Sequence, residues 1–182
     1  MSPDGATPLL VQAVRHALDP VASPAPPLAT ADVDDLLAAA ARHRVEPVLA
    51  SAADTLGLDD AARAELAAAR TGAQHGALAM AATAVQCSAA LRRAGLRSLV
   101  YKGVPLALRT TGDPAGRGTG DVDLLVHPDD TVAAYQVLLD LGARYVMSFA
   151  PPPGTGLWPA TRFIVPELPF FHHGIGIDLH WR

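Results

Sequence analysis

Lysine is almost missing from this 182-residue chain: Lys102 is the only one, and the other basic residues are arginines. With 18 acidic against 14 basic side chains the formal net charge is −4, and no basic arm or run occurs. The electrostatic footprint of a general nucleic-acid binder is therefore absent. Cysteine is reduced to Cys87, which excludes an internal disulfide and suits a reducing compartment. It lies in an Ala-rich helical stretch, where a buried, inert thiol is expected. No apolar run approaches the ~20 residues that span a bilayer. The opening MSPDGATPLL lacks the basic-then-apolar pattern of a secretory signal. These absences point to a soluble cytoplasmic protein with no membrane partner.

What is present is apolar bulk. Half the residues are hydrophobic, enough to bury a sizeable core, and the length fits one domain with a helical extension. Composition changes near Gly95. Before it, alanine and leucine recur at helical spacing, predicting helices over 7–18, 30–44, 45–56, 59–70 and 71–94. The proline-rich PVASPAPPLAT after the first is expected to be extended. Thr30 or Asp32 can cap the second helix, and Gly95 suits the end of the last. After Gly95 the period shortens. Strands are expected at LRSLVYK (96–102), DVDLLV (121–126), ARYVMSF, TRFIV and FHHGIGIDLHWR, with helices from Gly103 and from Pro128–Asp130. The expected organisation is an N-terminal helical region over 1–94 and an α/β domain over 95–182.

Asp121 and Asp123 are one residue apart in a strand, so both carboxylates leave the same face while Val122 points to the core. Two anions so placed repel unless a cation sits between them. Mg²⁺, which takes one or two carboxylates plus phosphate oxygens and water, fits; a solvated pair at a strand edge is the plain alternative. Upstream, Lys102-Gly103 stands where a strand turns into a helix, a place that aims free N–H groups at an anion. The Gly-rich TTGDPAGRGTG loop (110–120) supplies Arg117 and Gly120 for close approach to phosphate. In FHHGIGIDLHWR the odd positions are apolar apart from His173, and the even positions are small, polar or charged. Asp178 and His180 thus share an open face. His172 and His173, as strand neighbours, face opposite ways and form no ordinary chelating pair. Trp158 and Trp181 read as packing residues, Asp129 and Asp130 as helix-start acids, and His43 and Arg44 as structural.

The series LVYKGVPLAL, RGTGDVDLLV and IDLHWR, with the helical segment ARHRVEPVLA (41–50), resembles an uncharacterised bacterial nucleotidyltransferase-like family of the DNA polymerase β superfamily. The likeness covers roughly residues 35–182. It implies an α/β (α+β) nucleotidyltransferase fold, a small mixed sheet flanked by helices. It also implies Asp121 and Asp123 as metal ligands and Asp178 as the third acid, which activates the acceptor. On this basis the catalytic and metal-binding set is Asp121, Asp123 and Asp178, and the phosphate-facing set is Lys102, Gly103, Arg117, Gly120 and His180. The implied reaction moves a nucleoside monophosphate from an NTP, with Mg²⁺, to an unidentified small-molecule, peptide or protein acceptor. The alternative is a catalytically weak nucleotide- or partner-binding module of the same fold. Lys102-Gly103 stands where the wider superfamily often has Gly-Ser. Relatives usually continue past the third acid, so a further C-terminal portion is implied after Arg182.

Overall fold

The computed structural model describes residues 3–116, 120–147 and 152–182. The chain divides into two compact units, Met1–Gly76 with Thr111–Gly118 and Ala77–Thr110 with Thr119–Arg182.

The first unit holds α1 (Pro3–Leu18), α2 (Thr30–His43), α3 (Glu46–Ala50) and the start of α4 (Asp60–Arg93). The proline-rich stretch between α1 and α2 carries no helix, as its missing N–H groups and fixed φ require. Ala29, not Thr30 or Asp32, is the N-cap of α2. Asp32 serves the same end from inside the helix, its carboxylate accepting the Ala29 N–H at 3.2 Å. Arg44 closes α2 in a left-handed conformation, φ 57°. Leu10, Ala13, Leu36, Leu49, Leu56 and Leu66 are buried together. His16 is buried beside them, donating from Nδ1 to the Ser23 carbonyl at 2.8 Å.

The expected helices at 59–70 and 71–94 are one. Thr71 does not cap a new helix, because its hydroxyl donates to the Ala67 carbonyl one turn back at 3.0 Å. Gly72 and Gly76 each cost only about 1 kcal/mol relative to alanine, too little to break a helix anchored by packing. Gly95 ends it as predicted, at φ +78°. Leu96 N–H reaches the Leu91 carbonyl at 2.9 Å and Gly95 N–H that of Arg92 at 3.0 Å, which satisfies carbonyls left open at the helix end.

The second unit is built on a five-stranded mixed sheet of β1 (Ser98–Val100), β2 (Asp121–Val126), β3 (Arg144–Tyr145), β4 (Glu167–His172) and β5 (Ile175–His180). The order is β1-β2-β5-β4-β3. β2 and β5 run parallel, and every other pair is antiparallel. Helices α5 (Gly103–Thr111), α6 (Thr131–Asp140) and α7 (Trp158–Ile164) complete it. Val122, Leu124, Leu168, Phe170, Ile177 and Leu179 form the inner face of the sheet, packed with Leu91, Leu138 and Cys87. Trp158 and Trp181 are buried in the same core with ring centroids 5.4 Å apart. The architecture is the expected α+β one. No helix among the described residues is long and apolar enough to cross a membrane.

Three local expectations change. TRFIV is not a strand: residues 158–164 are helical, with Pro159 in the first turn, where its missing N–H costs nothing. The third strand is only Arg144–Tyr145; residues 148 and 149 of the expected ARYVMSF strand lie outside the described residues. The segment 171–182 is not one strand but the end of β4, a two-residue turn and β5. His173 (φ 49°) and Gly174 (φ 83°) form that turn, the pair of positive φ values that a right-twisted hairpin favours. The turn reverses the parity of the strand faces. His172 and Ile175 are partners, so His172 lies on the core face with Leu168 and Phe170 and not on the face of Asp178.

Candidate functional site: a carboxylate cluster on β2 and β5

The alternation of DVDLLV sends Val122, Leu124 and Val126 into the core, which leaves Asp121 and Asp123 on the other face. The parallel register sets Asp123 opposite Asp178, and Asp121 opposite Gly176. Ile177 and Leu179 anchor β5 in the core, so Asp178 and His180 are turned the same way as the two β2 acids. Strands distant in sequence, with register partners 55 residues apart such as Asp123 and Asp178, thereby bring their polar faces together.

Asp123 is the centre of this cluster. It is 5% exposed, yet its Oδ1 accepts from Lys102 Nζ at 2.8 Å and lies 3.0 Å from His180 Nε2. An anion so buried needs such partners, since an unpaired buried carboxylate costs several kcal/mol. Lys102 arrives from the end of β1. Gly103 next to it takes φ +55°, a left-handed conformation that favours glycine, and is buried at the start of α5. The Lys102 ammonium is held protonated, above the ordinary lysine range, by Asp123 first and Tyr101 second. Its ammonium also lies 4.9 Å from the centre of the Tyr101 ring.

Asp178 is half-buried, and its carboxyl is pushed up to about 6. Desolvation is the main cause, followed by the negative charges of Glu167 and Asp121, with His180 acting in the opposite sense. Asp121 is exposed. A Cβ at Gly176 would meet the Asp121 Cβ at 3.6 Å, an ordinary contact that leaves room for an alanine. Gly120 leads into β2 and is exposed. Arg117, expected on phosphate, lies outside the described residues.

One participant escaped the sequence reading. Glu167 is the hairpin partner of His180, and its Oε2 is 3.6 Å from His180 Nδ1. The alternation of ELPFFH carried the signal, with Leu168, Phe170 and His172 inward and Glu167 outward. It becomes readable only once the His-Gly turn is recognised.

Ligand atoms of Asp123, Asp178 and His180 all lie within 4.8 Å of one another. Two carboxylates and an imidazole at that separation suit a divalent cation, and Asp123 is also paired with the Lys102 ammonium. A cavity of about 10 Å³ reaches Lys102, Asp121 and Asp123, room for about one water. No curated protein and no solved structure matches the chain. The model of a family described as "Uncharacterised nucleotidyltransferase" does match, over residues 29–182, and the chain belongs to that family.

Proposed function

We propose that the protein transfers a nucleoside monophosphate from an NTP to an acceptor hydroxyl, with Asp121, Asp123 and Asp178 as its catalytic acids. The observation that carries this reading is the pairing of Asp123 with Asp178 across β2 and β5, with a cation, Lys102, already bound at Asp123. Family membership supports the reaction class. Two Mg²⁺ ions held by the three acids would neutralise the charge on the transferred phosphoryl group and on the attacking and leaving oxygens.

The chain's own groups do the rest. Asp178 accepts the proton of the acceptor hydroxyl as the general base. The hydroxyl oxygen bonds to the α-phosphorus while the bond to the bridging oxygen breaks, and pyrophosphate leaves. Lys102, half-exposed beside Asp123, is the residue that would neutralise the β- and γ-phosphates, and Asp123 would be left to hold the metal. The N–H groups at the start of α5 face the same anion, with Arg117 and Gly120 completing the phosphate contacts. Positioning and charge stabilisation supply most of the catalysis.

Incubation with each labelled NTP, Mg²⁺ and candidate acceptors tests the reaction: label transfer with pyrophosphate release supports it, and NTP binding without turnover turns the reading to a binding module. A non-hydrolysable NTP with Mg²⁺ should raise the melting temperature by mass action. The double substitution Asp121→Asn with Asp123→Asn should remove the metal-dependent part of that rise.

A further inference from the structure

The composition of the cluster bears on which cation it takes. Mg²⁺ is a hard cation that selects oxygen, whereas imidazole suits transition metals, among which Mn²⁺ accepts both carboxylate and histidine. His180 is 6% exposed and points Nε2 into the acidic pair. Its other nitrogen faces Glu167 Oε2 at 3.6 Å, and a small rotation of that half-exposed glutamate would bring the two into hydrogen-bonding distance. Tyr101 packs edge-on against the imidazole, with ring centroids 5.4 Å apart. A histidine with one nitrogen among carboxylates, the other toward a carboxylate behind it and its ring fixed by packing is the arrangement found behind metal-ligating histidines.

We propose that His180 Nε2 is a metal ligand beside Asp123 and Asp178, that Glu167 orients its imidazole, and that the site therefore favours Mn²⁺ over Mg²⁺. This deepens the nucleotidyltransferase reading and rests on it for a cation at Asp123 and Asp178. In the metal-free protein the Lys102 ammonium and the His180 N–H share Asp123 Oδ1. An entering cation displaces both, and His180 must then present its unprotonated nitrogen. Glu167 favours the tautomer with the proton on Nδ1, which leaves Nε2 free to ligate.

The test is pulsed electron paramagnetic resonance on the full chain loaded with Mn²⁺, with and without a non-hydrolysable NTP. Directly coordinated nitrogen is expected, with its signature changing to that of ¹⁵N when the protein is made with ¹⁵N-histidine. His180→Ala should abolish the nitrogen coupling. Glu167→Gln should keep it and weaken Mn²⁺ binding about 10-fold, with a smaller effect on Mg²⁺. The labelled parent protein shows that a histidine ligates, and His180→Asn, closer in shape, assigns the coupling to His180 if the alanine variant does not fold. Mn²⁺ that binds with oxygen ligands alone, and is lost in Asp123→Asn, overturns the histidine ligand and leaves the nucleotidyltransferase reading standing. No Mn²⁺ or Mg²⁺ binding, with or without the nucleotide, overturns both.

Discussion

Lys102 Nζ lies 2.8 Å from Asp123 Oδ1, so the chain's only lysine rests on a carboxylate buried at the centre of the acidic cluster. The two side chains differ in exposure: Lys102 is 49% exposed and Asp123 only 6%. The lysine can swing into solvent, whereas the aspartate cannot follow. A cation arriving at Asp123 competes with a mobile group, and the displaced ammonium stays beside the site.

Lys102→Ala should therefore have two separable effects. In the metal-free protein it leaves Asp123 with His180 as its remaining side-chain partner among the described residues, at a cost of about 1–3 kcal/mol in urea unfolding. Divalent metal should recover part of that loss by taking the ammonium's place. Nucleotide binding should weaken more for a triphosphate than for a monophosphate, by about 1.5–3 kcal/mol, the scale of a hydrogen bond to a charged group. Equal losses for the two nucleotides would remove Lys102 from the β- and γ-phosphates.

The β4–β5 turn offers a test of the hairpin that aligns Glu167 with His180. His173 holds φ +49° without being glycine, and Asn-Gly is the favoured pair for such a turn. His173→Asn should stabilise the protein by about 0.5–1 kcal/mol, since a left-handed residue with a bulky side chain costs roughly 1–2 kcal/mol. Thermal unfolding of the two proteins in one buffer measures this. A less stable variant would show that the 4.2 Å ring contact of His173 with His172 outweighs the strain.

Cys87 should be inert in the folded protein. It is fully buried, and desolvation pushes its thiol up to about 11, so little thiolate exists near neutral pH. Alkylation at pH 8 should be negligible under native conditions and complete in denaturant. Rapid native labelling would mean that the packing around α4 opens readily.

Much of the site is local in the sequence, and those parts were legible. Strand β2 has the bounds its alternation indicates, and Asp121 and Asp123 leave it on one face because period two requires it. The Lys102-Gly103 turn was marked by glycine. Asp178 and His180 were assigned to one polar face by the same alternation. What the sequence hid is long-range. Nothing in the order of residues says that β5 inserts between β2 and β4, and only that insertion sets Asp123 against Asp178. The His173-Gly174 turn was hidden because it interrupts the alternation only at His173, while shifting the parity of everything after it. Glu167 went unseen and His172 was placed on the wrong face for that one reason. TRFIV misled because a short run with four apolar or β-branched residues fits a short helix as well as a strand.

Asp178→Asn should separate stability, binding and chemistry. The carboxyl titrates near 6 in the folded chain against an ordinary value of 3.8, so the folded state holds its proton more tightly than the unfolded state does. The favourable contribution is therefore complete below about 3.8 and lost as pH rises through 6. Above pH 6 the metal-free parent carries an ionised Asp178 beside Glu167, Asp121 and Asp123, all of which oppose its charge. An asparagine of nearly the same shape has no such charge. The variant should accordingly melt higher than the parent at pH 7–8 without metal, and the difference should vanish toward pH 4. Mg²⁺ should narrow or reverse the gap by binding the parent better. If Asp178 takes the acceptor's proton, transfer should fall ~10²-fold or more. NTP affinity should fall less, because Asp121 and Asp123 still hold the metal. Melting curves across pH, NTP titrations and transfer rates on the two proteins settle each part. A variant that melts lower at pH 8 would make Asp178 a structural acid, and unchanged transfer would take it out of the catalytic centre.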